Sequence, residues 1–147
     1  MKITVRQDES AAEVEIIVAC PRITNEIAEI LAQISLIGNT VTGIKNGETC
    51  FVPLSEILYF ESVDEKIFFY TDDAVYETAS RLYQLEEKLA DTPFARISKS
   101  TIANLRKMRS ITPQPHSRLC AVMANGERLI VSRQYMNSIK EKLGVKR

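Results

Sequence analysis

The sequence predicts a mainly β, antiparallel fold with a few short helices, and three observations carry that expectation. Short runs rich in Val, Ile, Thr, Tyr and Phe recur from Thr40 to Val131, a composition that suits a pleated, half-buried surface. Turn signals separate them at Asn46-Gly47, Asp72-Asp73 and Asn125-Gly126. Helical spacing of apolar residues is confined to three brief stretches.

The first elements are two β-type runs, Lys2–Arg6 and Val14–Cys20, separated by the polar stretch Gln7–Glu13. Ile23, Ile27, Ile30, Leu31 and Ile34 then form the stripe of an amphipathic helix. Pro21 precedes it, and Thr24 or Asn25 is placed to cap it. Residues 1–37 thus read as a β-β-α extension, too small to enclose a core alone. It must pack on the rest of the chain or on a second copy.

Residues 38–147 read as a separate β-domain. Thr40–Lys45 and Thr49–Val52 flank Asn46-Gly47, a type I′ hairpin signal. Glu56–Ser62, Lys66–Thr71 and Val75–Thr78 follow as strands. Ser80 opens a helix with Leu82, Leu85 and Leu89 on one face, and Asp91-Thr92-Pro93 ends it. Further strands are expected at Arg109–Thr112, Arg118–Met123 and Arg128–Val131. Ser132 is placed to cap a last helix carrying Met136, Ile139 and Leu143 and ending at Gly144.

Charge is sorted along the chain although the total is zero. Residues 1–95 hold 7 Lys/Arg against 17 Asp/Glu, a balance of −10, while residues 96–147 hold 12 against 2, a balance of +10. A net-neutral chain can therefore present one cationic face to a polyanion. No apolar run approaches the ~20 residues of a membrane span, and the N-terminus lacks a secretory apolar core. Cys20, Cys50 and Cys120 are far apart with no CxxC spacing, as expected of reduced thiols in a cytoplasmic protein.

Phe94–Asn104 (FARISKSTIAN) is read as a turn-rich stretch in which Phe94, Ile97 and Ile102 anchor a display of Arg96, Ser98, Lys99, Ser100 and Asn104. Short polar groups and cations on apolar anchors suit phosphate positioning and base-edge contact. The order around it is specific. Leu54-x-x-Ile57-x-Tyr59-Phe60-Glu61-Ser62 precedes a leucine-bearing helix; Phe94-x-Arg96-Ile97-x-Lys99-Ser100-x-Ile102-x-Asn104 follows, then Asn125-Gly126 and Val131-Ser132-Arg133. Over about residues 38–144 this closely resembles the LytTR family of bacterial DNA-binding domains.

The resemblance implies an elongated fold of three small antiparallel sheets that binds double-stranded DNA through loops and regulates transcription. It places contacts in the turn Val63–Lys66, in the RISKS segment with Lys99 nearest a base, and at Ser132-Arg133. Arg133 at a helix start offers a guanidinium fork suited to guanine together with N–H groups that favour phosphate. Lys99 donates less directionally. Ser98, Ser100 and Asn104 either bond phosphate or fold back on their own loop. In the first turn Asp64 and Glu65 repel phosphate, so Lys66 carries the expectation, or Glu65 accepts from a cytosine amino group. Arg106, Lys107 and Arg109 are expected to reach neighbouring phosphates. Arg118 and Arg128 read as strand-surface residues, and Lys140, Lys142, Lys146 and Arg147 as cations favoured by a helix C-terminus.

Other functions fit less well. HExxH, Walker and GxSxG patterns are missing, and His116 and Cys120 lack companion ligands at metal spacing, so neither catalysis nor a cofactor nor a metal is expected. Single-strand binders display aromatics amid basic residues, whereas Tyr59, Phe60, Phe68, Phe69 and Tyr70 sit in the acidic part and read as core. A protein-interaction module and a non-specific nucleic-acid binder are the alternatives. A receiver domain needs ~100 residues or more, and none is expected in the extension. The extension is expected to make a homodimer or to dock on a separate sensor protein.

Overall fold

The structure is a computed structural model that describes residues 1–12 and 14–144. Glu13 of the polar stretch, and Lys146 and Arg147 of the basic C-terminus, lie outside the described residues. After the N-terminal segment come α1 (Asn25–Gly38), β1 (Thr40–Lys45), β2 (Glu48–Pro53), β3 (Tyr59–Val63), β4 (Lys66–Tyr70) and β5 (Val75–Thr78). They are followed by α2 (Leu82–Lys88), β6 (Phe94–Ser98), β7 (Thr101–Asn104), β8 (Met108–Gln114), β9 (Arg118–Met123), β10 (Arg128–Val131) and α3 (Met136–Leu143). The mainly β, antiparallel fold is as expected.

Two sheets form where three were expected. The order β2-β1-β5-β4-β3-β7-β6 makes one, and β10-β9-β8 the other. The Ile44–Glu77 pairing alone joins β1 to β5, and that junction merges a hairpin with a five-stranded sheet. Asn46 and Gly47 both take positive φ, 51° and 77°, the backbone a type I′ turn demands. In β1, Gly43 lies under an aromatic pair. A Cβ there would stand 2.5 Å from Phe69 Cζ and 2.8 Å from Tyr76 Cβ, so only glycine lets the strand pass.

Strands β3, β6 and β7 are buried on both faces. On one side Phe60, Phe69, Phe94 and Ile102 pack with Leu82 and Leu85 of α2 and with Leu89 just past its end. On the other, Tyr59, Ala95, Ile97 and Ala103 meet Ala121, Met123 and Val131 of the smaller sheet and Ile139 of α3. The aromatics expected in the core are there, with Phe60 and Phe69 fully enclosed. Lys142 ties the layers together. Its ammonium donates to the carbonyls of Thr92 (3.1 Å) and Phe94, closing the end of α2 rather than only its own helix. Burial holds its pKa below the ordinary lysine value, with Asp91 and Glu86 acting in the opposite sense.

Four expectations are corrected. Lys2–Arg6 and Val14–Cys20 are not strands; every described residue from Met1 to Ala19 is exposed. A strand needs a neighbour for its N–H and C=O groups, and one copy of the chain supplies none. Phe94–Asn104 is not a turn-rich stretch but the β6–β7 hairpin, turning only at Lys99-Ser100. Alternation is hidden there because both faces are core. At α2 the capping contact comes from Gln84, whose Oε1 accepts the Arg81 N–H at 2.8 Å, not from Ser80. Ser132 does not cap α3 through its hydroxyl; a single 3-10 turn, Arg133–Tyr135, intervenes, and the Ser132 carbonyl accepts the Tyr135 N–H at 3.0 Å.

Candidate nucleic-acid interface

The β6–β7 hairpin is the rigid centre of the site. Its strands are clamped between two cores, so the tip inherits a fixed position. The pairing shifts register between Arg96 and Ser98, an irregularity of the kind that re-aims a side chain. Arg96 folds beneath the tip. Its Nε donates to the Ser98 carbonyl at 2.9 Å and an Nη to the Lys99 carbonyl, while Glu86 lies 3.6 Å from the other Nη. Ser98 Oγ accepts the Ser100 N–H at 3.3 Å. The backbone around Lys99 is thus held from inside, and the Lys99 side chain is exposed.

Two backbone hydrogen bonds bring the other segments alongside. Ser62 at the end of β3 donates its N–H to the Ser100 carbonyl at 2.8 Å, and Ser132 donates to the Ile97 carbonyl at 2.7 Å. The β3–β4 turn, the hairpin tip and the Ser132-Arg133 segment therefore stand side by side at one end of the molecule. Lys66 is exposed and makes only a loose 3.9 Å pair with Glu77, a contact easily exchanged. Asp64 and Glu65 form the turn with φ of 50° and 67°, a strained backbone for residues with a Cβ. Arg133 is exposed. Behind the turn, Glu61 accepts from the Tyr70 hydroxyl at 3.2 Å, bracing β3 against β4.

Several expected contacts face elsewhere. Asn104 is 3% exposed; its Nδ2 donates to the Ile57 carbonyl at 2.9 Å and its Oδ1 accepts the Arg106 N–H at 3.1 Å. Its amide is committed to the fold, as is the Arg96 guanidinium. Arg106 and Lys107 follow β7 at the end opposite Lys99, because Phe94 pairs with Asn104 there while Ser98 pairs with Thr101 at the tip. A four-residue strand separates the two ends by roughly 10 Å or more. Arg109 is also remote, donating to the Ala124 carbonyl at 3.1 Å. These three do not join the row.

Arg118 does join it, against the sequence expectation. Val131 pairs with Leu119, which sets the exposed Arg118 beside Ser132. Nothing local marks it; only the register of β9 on β10 brings it to this end.

The β-scaffold thus presents cations and hydroxyls on a row of adjacent loop tips. The family pattern of the LytTr DNA-binding domain matches residues 47–144, and the chain belongs to the LytTR family. It is 32% identical over 103 residues to the sensory transduction protein LytT of Enterococcus faecalis, covering 69% of this chain and 43% of that relative. It is 24% identical over 147 residues, 99% of both chains, to a Staphylococcus aureus protein described as an uncharacterized HTH-type transcriptional regulator. Among solved structures it resembles the LytTr DNA-binding domain of a Bacillus cereus protein described as a methyl-accepting/DNA response regulator. That match has a TM-score of 0.66 and 30% identity, and it covers 71% of this chain and 96% of the other. A helix-turn-helix, named in the staphylococcal description, is absent from the described residues here: five strands separate α1 from α2, and five more separate α2 from α3.

Proposed function

We propose that the chain is a sequence-specific transcriptional regulator that binds double-stranded DNA in the cytoplasm and reads base edges in the major groove through loops. It is a binding protein, not an enzyme. The observation that carries this reading is the pair of hydrogen bonds, Ser62 to Ser100 and Ser132 to Ile97, that align three cation-bearing segments at one end. In this reading Lys99 and Arg133 touch bases, with Arg133 the more directional donor. Lys66, Ser98, Ser100 and Arg118 meet phosphate, and Arg96 and Asn104 hold the loops that do so. Hydrogen-bonded neighbours lie ~4.8 Å apart, so the four steps from Lys66 on β4 through β3, β7 and β6 to the Ser132-Arg133 segment span roughly 19 Å. That is about one and a half times the ~12 Å width of a major groove, and the outer tips address separate groove segments. Residues 1–37 serve dimerisation or regulation.

Selection of bound duplexes from a random library tests this, with wild type beside Lys99→Ala and Arg133→Ala and a salt titration of the selected site. A defined motif is expected, weakened by about 1–3 kcal/mol for each lost base contact. Phosphate contacts alone would give binding with no motif and a salt slope of about 0.9 per neutralised phosphate; that outcome makes the chain a non-specific nucleic-acid binder. No binding at all would leave a protein-interaction module.

A further inference from the structure

The N-terminal segment is chemically unfinished. Eight of the fourteen exposed large apolar side chains among the described residues fall between Met1 and Ile23: Met1, Ile3, Val5, Val14, Ile16, Ile17, Val18 and Ile23. Within the two runs, all but Ile17 are ordered as strands order them. Ile3 and Val5 share one side of the first run, with Lys2, Thr4 and Arg6 on the other; Val14, Ile16 and Val18 share one side of the second. Between the runs the chain already bends, with the Ala11 N–H on the Asp8 carbonyl at 3.1 Å and the Ser10 N–H on Asp8 Oδ1 at 2.9 Å. The α1 stripe that follows is not enclosed either. Ile23 is 65% exposed, and Ile27, Ile30, Leu31 and Ile34 are only half-buried; of the stripe, Ile23 and Leu31 line a groove with Val41, Phe51 and Leu89.

The β-domain does not need this segment. The solved LytTr domain matches over 96% of its own length while covering 71% of this chain, so the scaffold closes without the extension. A lone two-stranded hairpin is at best marginal in water, whereas three or more strands with an apolar face hold. Two hairpins supply four. The eight side chains present roughly 1,000 Å² per chain, about 2,000 Å² for a pair, against the ~1,200–2,000 Å² that a stable interface buries. Left uncovered, that area exceeds the ~300–600 Å² of the largest apolar patch on a typical monomer.

We infer that residues 1–34 complete their fold only between two copies of this chain. Lys2–Arg6 and Val14–Cys20 of each copy pair into one shared antiparallel sheet, and the exposed side of each α1 stripe packs against its apolar face. The inference goes beyond the DNA reading and stands or falls separately from it.

The test is sedimentation of the full chain over a dilution series, combined with backbone hydrogen exchange. Wild type is expected to be a dimer, with amides of residues 3–6 and 14–18 protected at high concentration and unprotected after dilution. Val5→Asp and Ile16→Asp are expected to weaken the dimer at least about tenfold, and residues 40–144 keep their unfolding temperature because neither side chain touches that core. A wild type that stays monomeric overturns the inference, including one that binds a different protein instead. So does protection that persists in the monomer, which would place the strands on their own domain, and so does a dimer whose 14–18 amides exchange freely. An Ile16→Asp monomer that still binds a single-repeat duplex separates the dimer from DNA reading; a wild-type dimer that binds no duplex sinks only the latter.

Discussion

A guanidinium can serve a DNA interface by touching phosphate or by shaping the loop that touches it, and Arg96 is placed for the second role. Its fork spans the Ser98 and Lys99 carbonyls while Glu86 balances its charge. Lysine can replace the charge but not the fork. Arg96→Lys is therefore expected to weaken DNA binding by about 1–2 kcal/mol, nearly as much as Arg96→Ala, with an unchanged salt slope. Affinity titrations at several salt concentrations check this; full rescue by lysine would assign Arg96 to phosphate. Asn104 makes the same point from the opposite side. Its polarity suggested an interface, but its partner is the Ile57 carbonyl, 47 positions away, and no local pattern reveals a long-range hydrogen bond.

Among the elements, the β3–β4 turn is the least comfortable. Asp64 and Glu65 occupy left-handed backbone at φ of 50° and 67°, where a Cβ costs about 1–2 kcal/mol and glycine does not. Glu65→Gly removes that strain together with a carboxylate beside the row of cations proposed to face DNA. Stability in urea is expected to rise by about 1 kcal/mol, and duplex affinity to rise most at low salt. A fall in affinity at every salt concentration would instead make the Glu65 carboxylate a base reader. Elements with local signatures were legible in the sequence: Asn46-Gly47 and Asn125-Gly126 close hairpins, and the leucine spacing marks α2. The β6–β7 hairpin was not, because burial on both faces erases the alternation that reveals a strand. The N-terminal runs have the alternation and lack the neighbour, so the pattern is present without the element. Arg118 and Arg106 exchanged expected places for a related reason: proximity to Lys99 is set by strand register, not by distance along the chain.

At the scale of the whole molecule, the row of loops is only as well aligned as the two sheets that carry it. Lys66 and the Lys99 turn are carried by the larger sheet and Arg133 by the 3-10 turn that follows β10 of the smaller, and a seam of tyrosines lies between them. Tyr59 and Tyr70 stack at 4.4 Å between ring centroids. Tyr70 donates to Glu61, and the Glu127 carboxylate in the turn between β9 and β10 acts on the Tyr59 phenol. Burial pushes both phenol pKa values up, and the Glu127 and Glu61 carboxylates push them further. A raised pKa means that the folded protein holds its proton more tightly than the unfolded chain does. The stabilisation is therefore fully present below the ordinary tyrosine value of about 10 and is lost as pH climbs through and above it. Unfolding midpoints are expected to be level from neutral pH to about 9 and then to fall. Tyr59→Phe keeps the stacked ring, removes the buried phenol on which Glu127 acts, and is expected to change stability by no more than about 1 kcal/mol at neutral pH. Its fall at alkaline pH should be shallower than that of wild type, since one of the two proton-holding groups is gone. Denaturant titrations of both proteins across that range decide the matter: parallel curves would mean that Tyr59 does not hold its proton through the seam.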